Sequence, residues 1–422
     1  MRRQSSTTRA GLRGTVRAVN GLTSRWAAAA SADRGTVFSA PGVWPLLAFL
    51  ADGASGTARA ELSAAVGLPA DEAASAAREL LAAMDRVRGM DAALGLWTRR
   101  TLILRDAWRD GVPVDALGVL TGDPGVDAAA LDAWAARRTG GLIERVPAEL
   151  APDTELVLAS ALALRADWVT PFEPQPLTPT AGPWRGRRIA GLQRAAPGLD
   201  AVRIGRGPAG RVTGVTLRGA PAGDGDRGGD AHRDRYGDVD VQLLLGEPHM
   251  PPGDVLTTGL GMLTDDVPTT SGDELAPGPA GPGAVLRETL ADTRDEPPHV
   301  ALCTVEFTLD AEHDLLVPPG VFGLAAASDR RPGSFPGISD RPLRVESARQ
   351  TATATFGPTG FRAAAVTAVT MDWMGLPSHP TTELAVTVDR PFGFLAVHRT
   401  SRLVLAAGWV TDPEPYREDE DH

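Results

Sequence analysis

The sequence predicts an α+β fold. Helical patterning dominates the first third of its 422 residues, and strand-like runs dominate the remainder. Helices that come first and strands that come last favour this class over alternating βαβ units. The chain shows no internal repeat, and its length is enough to bury a large core.

The N-terminal third carries runs whose apolar spacing is helical, separated by short strand-like runs. Helices are predicted at 12–32, 43–54, 58–66, 71–87 and 127–138. Strands are predicted at 36–39, 92–98, 102–104 and 156–165. Gly67 follows the third helix as a candidate C-cap. The 156–165 run is almost wholly apolar, which indicates a buried strand.

The rest of the chain alternates strand-like runs with segments rich in turn-forming residues. Strands are predicted at 212–217, 239–245, 300–309, 349–356, 383–388, 392–398 and 402–409. Residues 218–238, rich in Gly, Asp and Arg, and residues 265–284, rich in Gly, Pro, Asp and Thr, are expected to be mobile insertions. The acidic tail 414–422 is expected to fray.

Bulk composition limits the function classes. The net charge of −11 argues against a nucleic-acid-binding surface. Cys303 is the only cysteine, so an internal disulfide is excluded. The N-terminal residues lack the apolar core of a secretory signal, and no stretch is apolar enough for a membrane span. These observations predict a cytoplasmic protein with no nucleic-acid or membrane partner.

Motifs for enzyme chemistry are missing from the sequence. The seven histidines do not have the spacing of a zinc site, and no Gly-x-Ser-x-Gly elbow is present. Residues 205–210 match a dinucleotide fingerprint as a string, but Pro208 lies inside it and a strand-like run follows. We therefore expect no enzymatic activity, no metal and no cofactor.

The run 359–376, flanked by Pro358 and Pro377, is the segment that is most informative about function. In a strand, its side chains would alternate between two faces. One face would carry no charge: Phe361, Ala363, Ala365, Thr367, Val369, Met371 and Trp373. The other face would carry both charges, Arg362 and Asp372. The pattern suits a half-buried strand, but an exposed loop is also compatible with it.

Several segments together resemble the serpin family. They are 37–41, 46–57, 131–143, 156–172 and 389–394, followed by Gly408 and Pro413. The last segment reads Asp-Arg-Pro-Phe-Gly-Phe, and 156–172 ends in a Trp-x-x-x-Phe element. The resemblance covers about residues 12–413 in family order, and this order and spacing make the set specific.

The resemblance implies one serpin-like domain over residues 1–422. The fold would have a large, mostly antiparallel central sheet, helices packed in the N-terminal part and an exposed C-terminal reactive loop. It implies a monomeric inhibitor that a target serine protease cuts in this loop. The cut loop then inserts into the main sheet as a new strand, which traps the protease.

The resemblance also assigns loop positions by counting from Gly360, the hinge glycine. The hinge would comprise Gly360, Phe361, Arg362, Ala363, Ala364, Ala365, Val366 and Thr367. The scissile bond would be Met374–Gly375, with Trp373–Met374 one register away. Met or Trp at the cut suggests a chymotrypsin-like or elastase-like protease.

Departures from the family pattern concern the hinge and the sheet-opening region. Pro358, Phe361 and Arg362 replace the usual acidic and small residues, so the hinge looks poorly suited to start insertion. Ser160 stands where Asn is usual and Gln350 where His is usual. The sheet-opening region would comprise Ser39, Ser160, Trp168 and Gln350. A non-inhibitory serpin-fold binding or structural protein, and an unrelated α+β enzyme, remain the alternative hypotheses.

Overall fold

A computed structural model describes residues 2–220, 238–291, 296–317, 319–329, 334–361 and 379–417. Its helices are α1 (Arg2–Ala28), α2 (Trp44–Gly53), α3 (Gly56–Val66), α4 (Ala70–Met84), α5 (Asp106–Arg109), α6 (Pro124–Arg138), α7 (Pro252–Thr264), α8 (Pro319–Phe322) and α9 (Ala325–Ser328). Short 3-10 turns lie at Val114–Ala116 and Gly272–Glu274.

The strands of the first half are β1 (Thr36–Phe38), β2 (Met90–Arg99), β3 (Leu117–Leu120), β4 (Leu156–Leu164), β5 (Ala166–Trp168), β6 (Glu173–Leu177), β7 (Ile189–Pro197), β8 (Val202–Gly207) and β9 (Gly210–Ala220). The later strands are β10 (Val239–Gly246), β11 (Thr269–Ser271), β12 (Gly278–Gly281), β13 (Ala284–Ala291), β14 (His299–Val305), β15 (Phe307–Asp314), β16 (Ser347–Phe356), β17 (Gly360–Phe361), β18 (His379–Thr387), β19 (Phe392–His398) and β20 (Val404–Val410).

The strands form two sheets. The larger, 14-stranded sheet has the order β1-β20-β19-β10-β9-β5-β17-β16-β4-β2-β3, with β15 beside β16 and β8 and β11 beyond β9. The smaller, 6-stranded sheet has the order β12-β13-β18-β14-β7-β6. Most neighbours are antiparallel, as the family resemblance implied. The pairs β2–β3, β4–β16 and β14–β18 are parallel.

The six-stranded sheet lies beyond one end of β5 and β15. We call this end of the larger sheet its upper end. The chain leaves β5 at Trp168 and soon enters β6. It also passes from β14 through Glu306 into β15, whose first residue, Phe307, pairs with Phe356 at the end of β16. The smaller sheet therefore lies beyond the upper end of β4, β5 and β16.

Two hydrophobic cores hold the larger sheet in place. The main core joins the sheet to the N-terminal helices, and all ten residues of α2 except Asp52 are buried. A second, smaller core lies between α6 and the outer face of β2 and β4, where Trp97 and Trp134 meet edge to face at 5.9 Å. β4 therefore has a hydrophobic core on each face, and a strand added to the sheet beside it would lie between the same two cores.

Many of the long elements lie where the sequence predicts them, but α7, β7 and β13 were not predicted. β4 is buried at all nine residues, as its apolar run indicated. The predicted C-cap is also confirmed, because Gly67 has a left-handed φ of 72° and its N–H bonds to the carbonyl of Ser63. Glycine adopts this conformation without the steric cost that a Cβ atom would add.

Two predicted strands differ from the structure. Residues 300–309 were predicted as one strand, but the chain changes sheets at Glu306, so β14 and β15 have different partners. Residues 102–104 do not form a strand, and only an isolated bridge between Leu104 and Ser339 is present there. The local pattern thus identified the extended backbone of 300–309 but not its change of partners, and the predicted strand at 102–104 is wrong.

The predicted insertions and tail fall partly outside the described residues. Of 218–238, residues 221–237 lie outside them. Residues 265–284 hold β11, a 3-10 turn and β12, and so have more regular structure than an open loop. The tail begins paired rather than frayed, because the Glu414 N–H bonds to Glu306 O at 2.8 Å and Pro415 forms a bridge with Ile189. The mobility of the insertions stays a prediction.

The N-terminus of α6 is held by two aspartates. Asp123 is its N-cap and accepts from the N–H groups of Gly125 and Val126. Asp127, only 4% exposed, accepts from Thr121 N at 2.7 Å, Thr121 Oγ1 at 2.8 Å and Gly122 N at 3.0 Å. Burial acts to raise the pKa of Asp127, but these hydrogen bonds outweigh it and the pKa is lowered.

We expect Asp127→Asn to lower the free energy of unfolding by roughly 1–3 kcal/mol at pH 7, because an amide cannot accept all three bonds. A lowered folded-state pKa stabilises the fold above the ordinary aspartate value of about 3.9, and this contribution is lost as the pH falls through the folded-state pKa. The loss in free energy of unfolding caused by Asp127→Asn should therefore be smaller at pH 3 than at pH 7. Urea unfolding at both pH values measures it, with the exposed Asp153→Asn as control. An equal deficit at both values would contradict the assignment.

Candidate functional site

The larger sheet is split at its upper end between β4 and β16. The two strands pair in parallel from Ser347–Val157 to Ala352–Leu162 and not beyond. Above this point they diverge, and β17 lies between β16 and β5. Phe361 is opposite Phe356 on one side and Ala166 on the other, both antiparallel. The hinge predicted from the sequence therefore begins inside the sheet.

A tight turn at 357–360 brings β17 back alongside β16. The Gly357 N–H donates to Gly360 O at 3.0 Å and closes the turn. Trp168 holds it from β5, because its main-chain N–H donates to Thr359 O and its Nε1–H to Gly357 O, both at 2.9 Å. The Phe172 N–H donates to Pro358 O at 2.8 Å. Each carbonyl of this turn is thus bound by a donor of the sheet or of the turn itself.

Gly360 is required at its position by close approach to β5. A Cβ atom there would lie 2.4 Å from the Ala166 carbonyl oxygen and 3.1 Å from Asp167 Cα. No real Cβ contact is that short, so a side chain would push β17 away from β5. Gly360, which the resemblance identified as a hinge glycine, therefore has a specific steric reason to be glycine.

We expect Gly360→Ala to destabilise the protein by about 1–3 kcal/mol, the usual cost of overpacking. Gly357→Ala is the matched control, because a Cβ there would meet no atom within 4 Å. Thermal unfolding of the two variants measures the difference. Equal midpoints would show that β17 does not lie against β5.

Phe361 is accommodated by an aromatic cluster beneath the sheet. Its side chain is 1% exposed, and its ring lies 5.6 Å from that of Phe394 on β19. Phe307 links the cluster to Phe356 at 5.2 Å and to Phe394 at 5.5 Å. From the sequence, Phe361 looked poorly suited to start insertion, because a small residue is usual at this position in the family it resembles. Instead Phe361 fills space left by the divergence of β4 and β16, so it secures the start of the hinge.

The predicted sheet-opening residues Ser39, Ser160 and Gln350 do meet, about halfway down the split pair of strands. All three are fully buried. The Gln350 amide accepts from the Ser39 N–H at 2.7 Å and donates to Ser39 O at 2.8 Å and to Ser160 Oγ at 3.3 Å. Ser39 Oγ donates to Leu405 O at 2.7 Å. This network, which we call the sheet lock, ties β4 and β16 to the chain after β1.

The sheet lock is packed as well as hydrogen-bonded. A Cβ at Gly42 would lie 2.7 Å from Ser160 Oγ and 3.1 Å from Gln350 Nε2, so only glycine fits beside the two side chains. Because its side chains are serine and glutamine, the sheet lock carries no titratable group. The nearby His313, opposite Gln350 in β15, has a pKa lowered mainly by burial, and its Nε2 lies 2.8 Å from Val37 O.

The fourth predicted sheet-opening residue, Trp168, lies at the hinge rather than in the sheet lock. Residues 362–367 of the hinge, and Trp373, Met374 and Gly375 at the predicted cut, lie outside the described residues. Sequence reasoning did not single out Gly357 or Phe172 for a role at the hinge. A Trp-x-x-x-Phe spacing was visible, but nothing local indicated that its donors face the turn before Gly360.

Within the described ranges, no group of three or more His, Cys, Asp or Glu side chains could hold a metal ion. No described helix is long and apolar enough to cross a membrane.

Comparison with protein families gives one match to this chain. The sequence model described as Serpin (serine protease inhibitor) matches residues 22–181 and 290–413, which is more than half of the chain. The unmatched stretch between them includes β12 and most of β13.

Individual relatives are proteins of Oryza sativa subsp. japonica. Serpin-Z2B is 26% identical over 407 residues, covering 91% of this chain and 92% of that protein. Serpins Z6A and Z6C are 32% and 31% identical, but the match spans only 39% and 42% of their own lengths.

Solved structures show the same fold at low identity. The native state of the thermophilic serpin tengpin matches with a TM-score of 0.69 and 14% identity, covering 95% of this chain and 94% of that one. A serpin from the trematode Schistosoma haematobium matches with a TM-score of 0.67 and 15% identity, covering 95% of this chain and 100% of that one.

Proposed function

Because this chain belongs to the serpin family, we propose that it inhibits a serine protease as a suicide substrate. The protease serine attacks the carbonyl carbon of Met374, an ester bond forms, and the peptide bond to Gly375 breaks with release of the Gly375 amine. Before water can hydrolyse the ester, the chain ahead of the cut enters the sheet between β4 and β16. The protease, still joined to Met374 by the ester bond, moves with the inserting chain and stays trapped as the acyl-enzyme.

The register of β17 is the observation that carries this proposal. Extended downwards, β17 would place residue 370 opposite Ser347 of β16 and opposite Val157 of β4. Those two residues already pair with each other. The short strand is therefore in register with both neighbours along their whole shared length, so insertion needs no slip of either strand.

Opening the sheet requires β4 and β16 to separate. The hydrogen-bond lengths in the sheet lock indicate which of its bonds would break. Gln350 makes two bonds to Ser39, at 2.7 and 2.8 Å, and one longer bond of 3.3 Å to Ser160. The longer bond is the weaker one, and it alone in the sheet lock joins the two separating strands. Gln350 can therefore stay with Ser39 while Ser160 moves away on β4.

The unusual hinge residues are compatible with this route. In the extended register, Arg362 would lie opposite Thr355 and Arg165, both half-exposed. Asp91 lies 3.4 Å from Arg165. The charge of Arg362 would therefore stay on the wetter face and would not enter the core. Its repulsion by Arg165, directly opposite, would be offset in part by the carboxylate of Asp91.

We propose Met374–Gly375 as the scissile bond, with Trp373–Met374 as the neighbouring register, and a chymotrypsin-like or elastase-like protease as the partner of a monomeric inhibitor. Incubation with each protease class, followed by denaturing electrophoresis, should give a complex that survives SDS. Mass spectrometry of the released C-terminal fragment identifies the cut. Cleaved protein together with fully active protease would instead identify a non-inhibitory protein of this fold.

A further inference from the structure

A cavity of about 580 Å³ lies where three connections of the chain meet. They are the turn between β8 and β9, the segment from β10 to α7, and the turn between β12 and β13. The residues that line the cavity fall between positions 209 and 282. The family sequence model does not match this stretch, because its two matched ranges are 22–181 and 290–413. Membership of the family therefore assigns no use to the cavity.

Most of the side chains that line the cavity are apolar. They are those of Ala209, Pro248, Met250, Pro251 and Pro282. Alanine and proline have almost no side-chain freedom to lose, so this wall is already arranged for a ligand. Met250, which is buried, has a flexible thioether that adapts its shape to a neighbouring ring. This volume and lining are typical of a site for a small organic molecule.

The polar side of the cavity has two arginines around one carboxylate. Arg211 Nε donates to Glu247 Oε1 at 3.2 Å, and both side chains line the cavity. Arg206 lies directly opposite Arg211 in the β8–β9 hairpin, so the two side chains share one face. The hydrogen bonds from Arg211, and then the positive charges of Arg211 and Arg206, lower the pKa of Glu247. Like charges in direct register are unfavourable, and a second anion beside them would relieve this repulsion.

A buried hydroxyl lies on the same face of the hairpin, one row deeper. Thr213 follows Arg211 by two residues on β9, so both side chains point to the same side. Thr213 is 1% exposed, and its Oγ1 has no hydrogen-bond partner among the described residues. This oxygen lies 2.7 Å from the position that a Cβ would take at Gly281, which lines the cavity. A buried hydroxyl normally has a partner, and an acceptor at the inner end of the cavity would supply one.

We propose that this cavity binds a small aromatic monocarboxylate. The carboxylate lies beside Arg211 and Arg206 and accepts from them and from the Thr213 hydroxyl. Bonds from a guanidinium to a carboxylate are roughly twice as strong as those to a neutral acceptor, so the charge of the ligand decides its affinity. The ring packs among the prolines and against Met250, whose sulfur makes favourable contacts with aromatic edges. The site is independent of the proposed function, because none of its lining residues belongs to β4, β16 or β17.

Naphthoate is the probe, and naphthamide, which has the same ring but no charge, is its matched control. Isothermal titration calorimetry of the uncut full chain should show naphthoate binding at least about tenfold tighter than naphthamide. Arg211→Gln should remove most of this preference. Arg185→Gln, which changes an exposed arginine outside both sheets, should leave it unchanged. Equal affinity of the unchanged protein for the two compounds, or no naphthoate binding at millimolar concentration, would overturn the proposal.

Two further variants locate the bound probe. Thr213→Val removes the hydroxyl with little change of shape, so naphthoate affinity should fall about fivefold while the thermal midpoint of the ligand-free protein does not fall. Ala209→Trp, at an exposed position that lines the cavity, should fill it and abolish binding. Its control is Ala181→Trp, at an exposed alanine between β6 and β7, which should bind normally. Unchanged affinity in Ala209→Trp would mean that naphthoate binds elsewhere and would contradict the assignment of this cavity.

Discussion

Cutting the loop at Met374–Gly375 is expected to raise the midpoint of thermal unfolding by more than about 10 °C. Insertion down to residue 370 replaces one ladder between β4 and β16 with two ladders on either side of a new strand. Each net backbone hydrogen bond stabilises by about 1 kcal/mol, which shifts the midpoint of a protein this large by roughly 1 °C, so a net gain of about ten bonds along the two ladders gives a shift of this size.

Differential scanning calorimetry before and after limited digestion measures this shift directly. The control is the uncut protein incubated with inactivated protease, whose midpoint should not change. An unchanged midpoint in the cut protein, with the cut confirmed by mass, would contradict insertion and favour a binding or structural role.

Ala363→Glu is expected to convert the protein from an inhibitor into a plain substrate. In the register of β17, position 363 would lie opposite Ala354 and Leu164, which both belong to the main core. A carboxylate buried there without a partner costs several kcal/mol, which is enough to slow insertion by a hundredfold or more. The ester is then hydrolysed before the protease is trapped.

Arg362→Glu is the matched control, because a carboxylate one residue earlier faces the other side. Position 362 would lie opposite Thr355 and Arg165, which are both half-exposed. We expect it to retain most of the trapping. The number of inhibitor molecules consumed per protease inactivated measures both variants. Equal loss of trapping in both would mean that the inserted strand has a different register.

Much of this fold could be predicted from local pattern. The buried run of β4, the helix that ends at Gly67 and the strands β9, β10 and β16 follow from apolar spacing and turn residues. The meeting of Ser39, Ser160 and Gln350 could not be deduced from spacing, since the three positions are over a hundred residues apart; only the resemblance to a family placed them together.

The remaining features depend on which strands pair, and local pattern does not carry that information. The run around Glu306 is continuously strand-like, yet its halves belong to different sheets. Residues 278–284 were predicted to be part of a Gly- and Pro-rich insertion, and β12 reads Gly-Pro-Ala-Gly, but β12 pairs with β13, which in turn pairs with β18. The sequence alone did not show that Phe361 would be accommodated, because the aromatic side chains around it come from strands distant in the sequence.

The parallel pairing of β4 with β16 has a consequence for the lifetime of the uncut fold. Parallel ladders are slightly weaker per residue than antiparallel ones, and β17 is ready to form two antiparallel ladders in the same place. Under the proposed function, the uncut fold is not the arrangement of lowest free energy. Its working lifetime is then set by a rate of escape, so storage time and temperature history, more than equilibrium stability, decide how much active inhibitor a preparation contains.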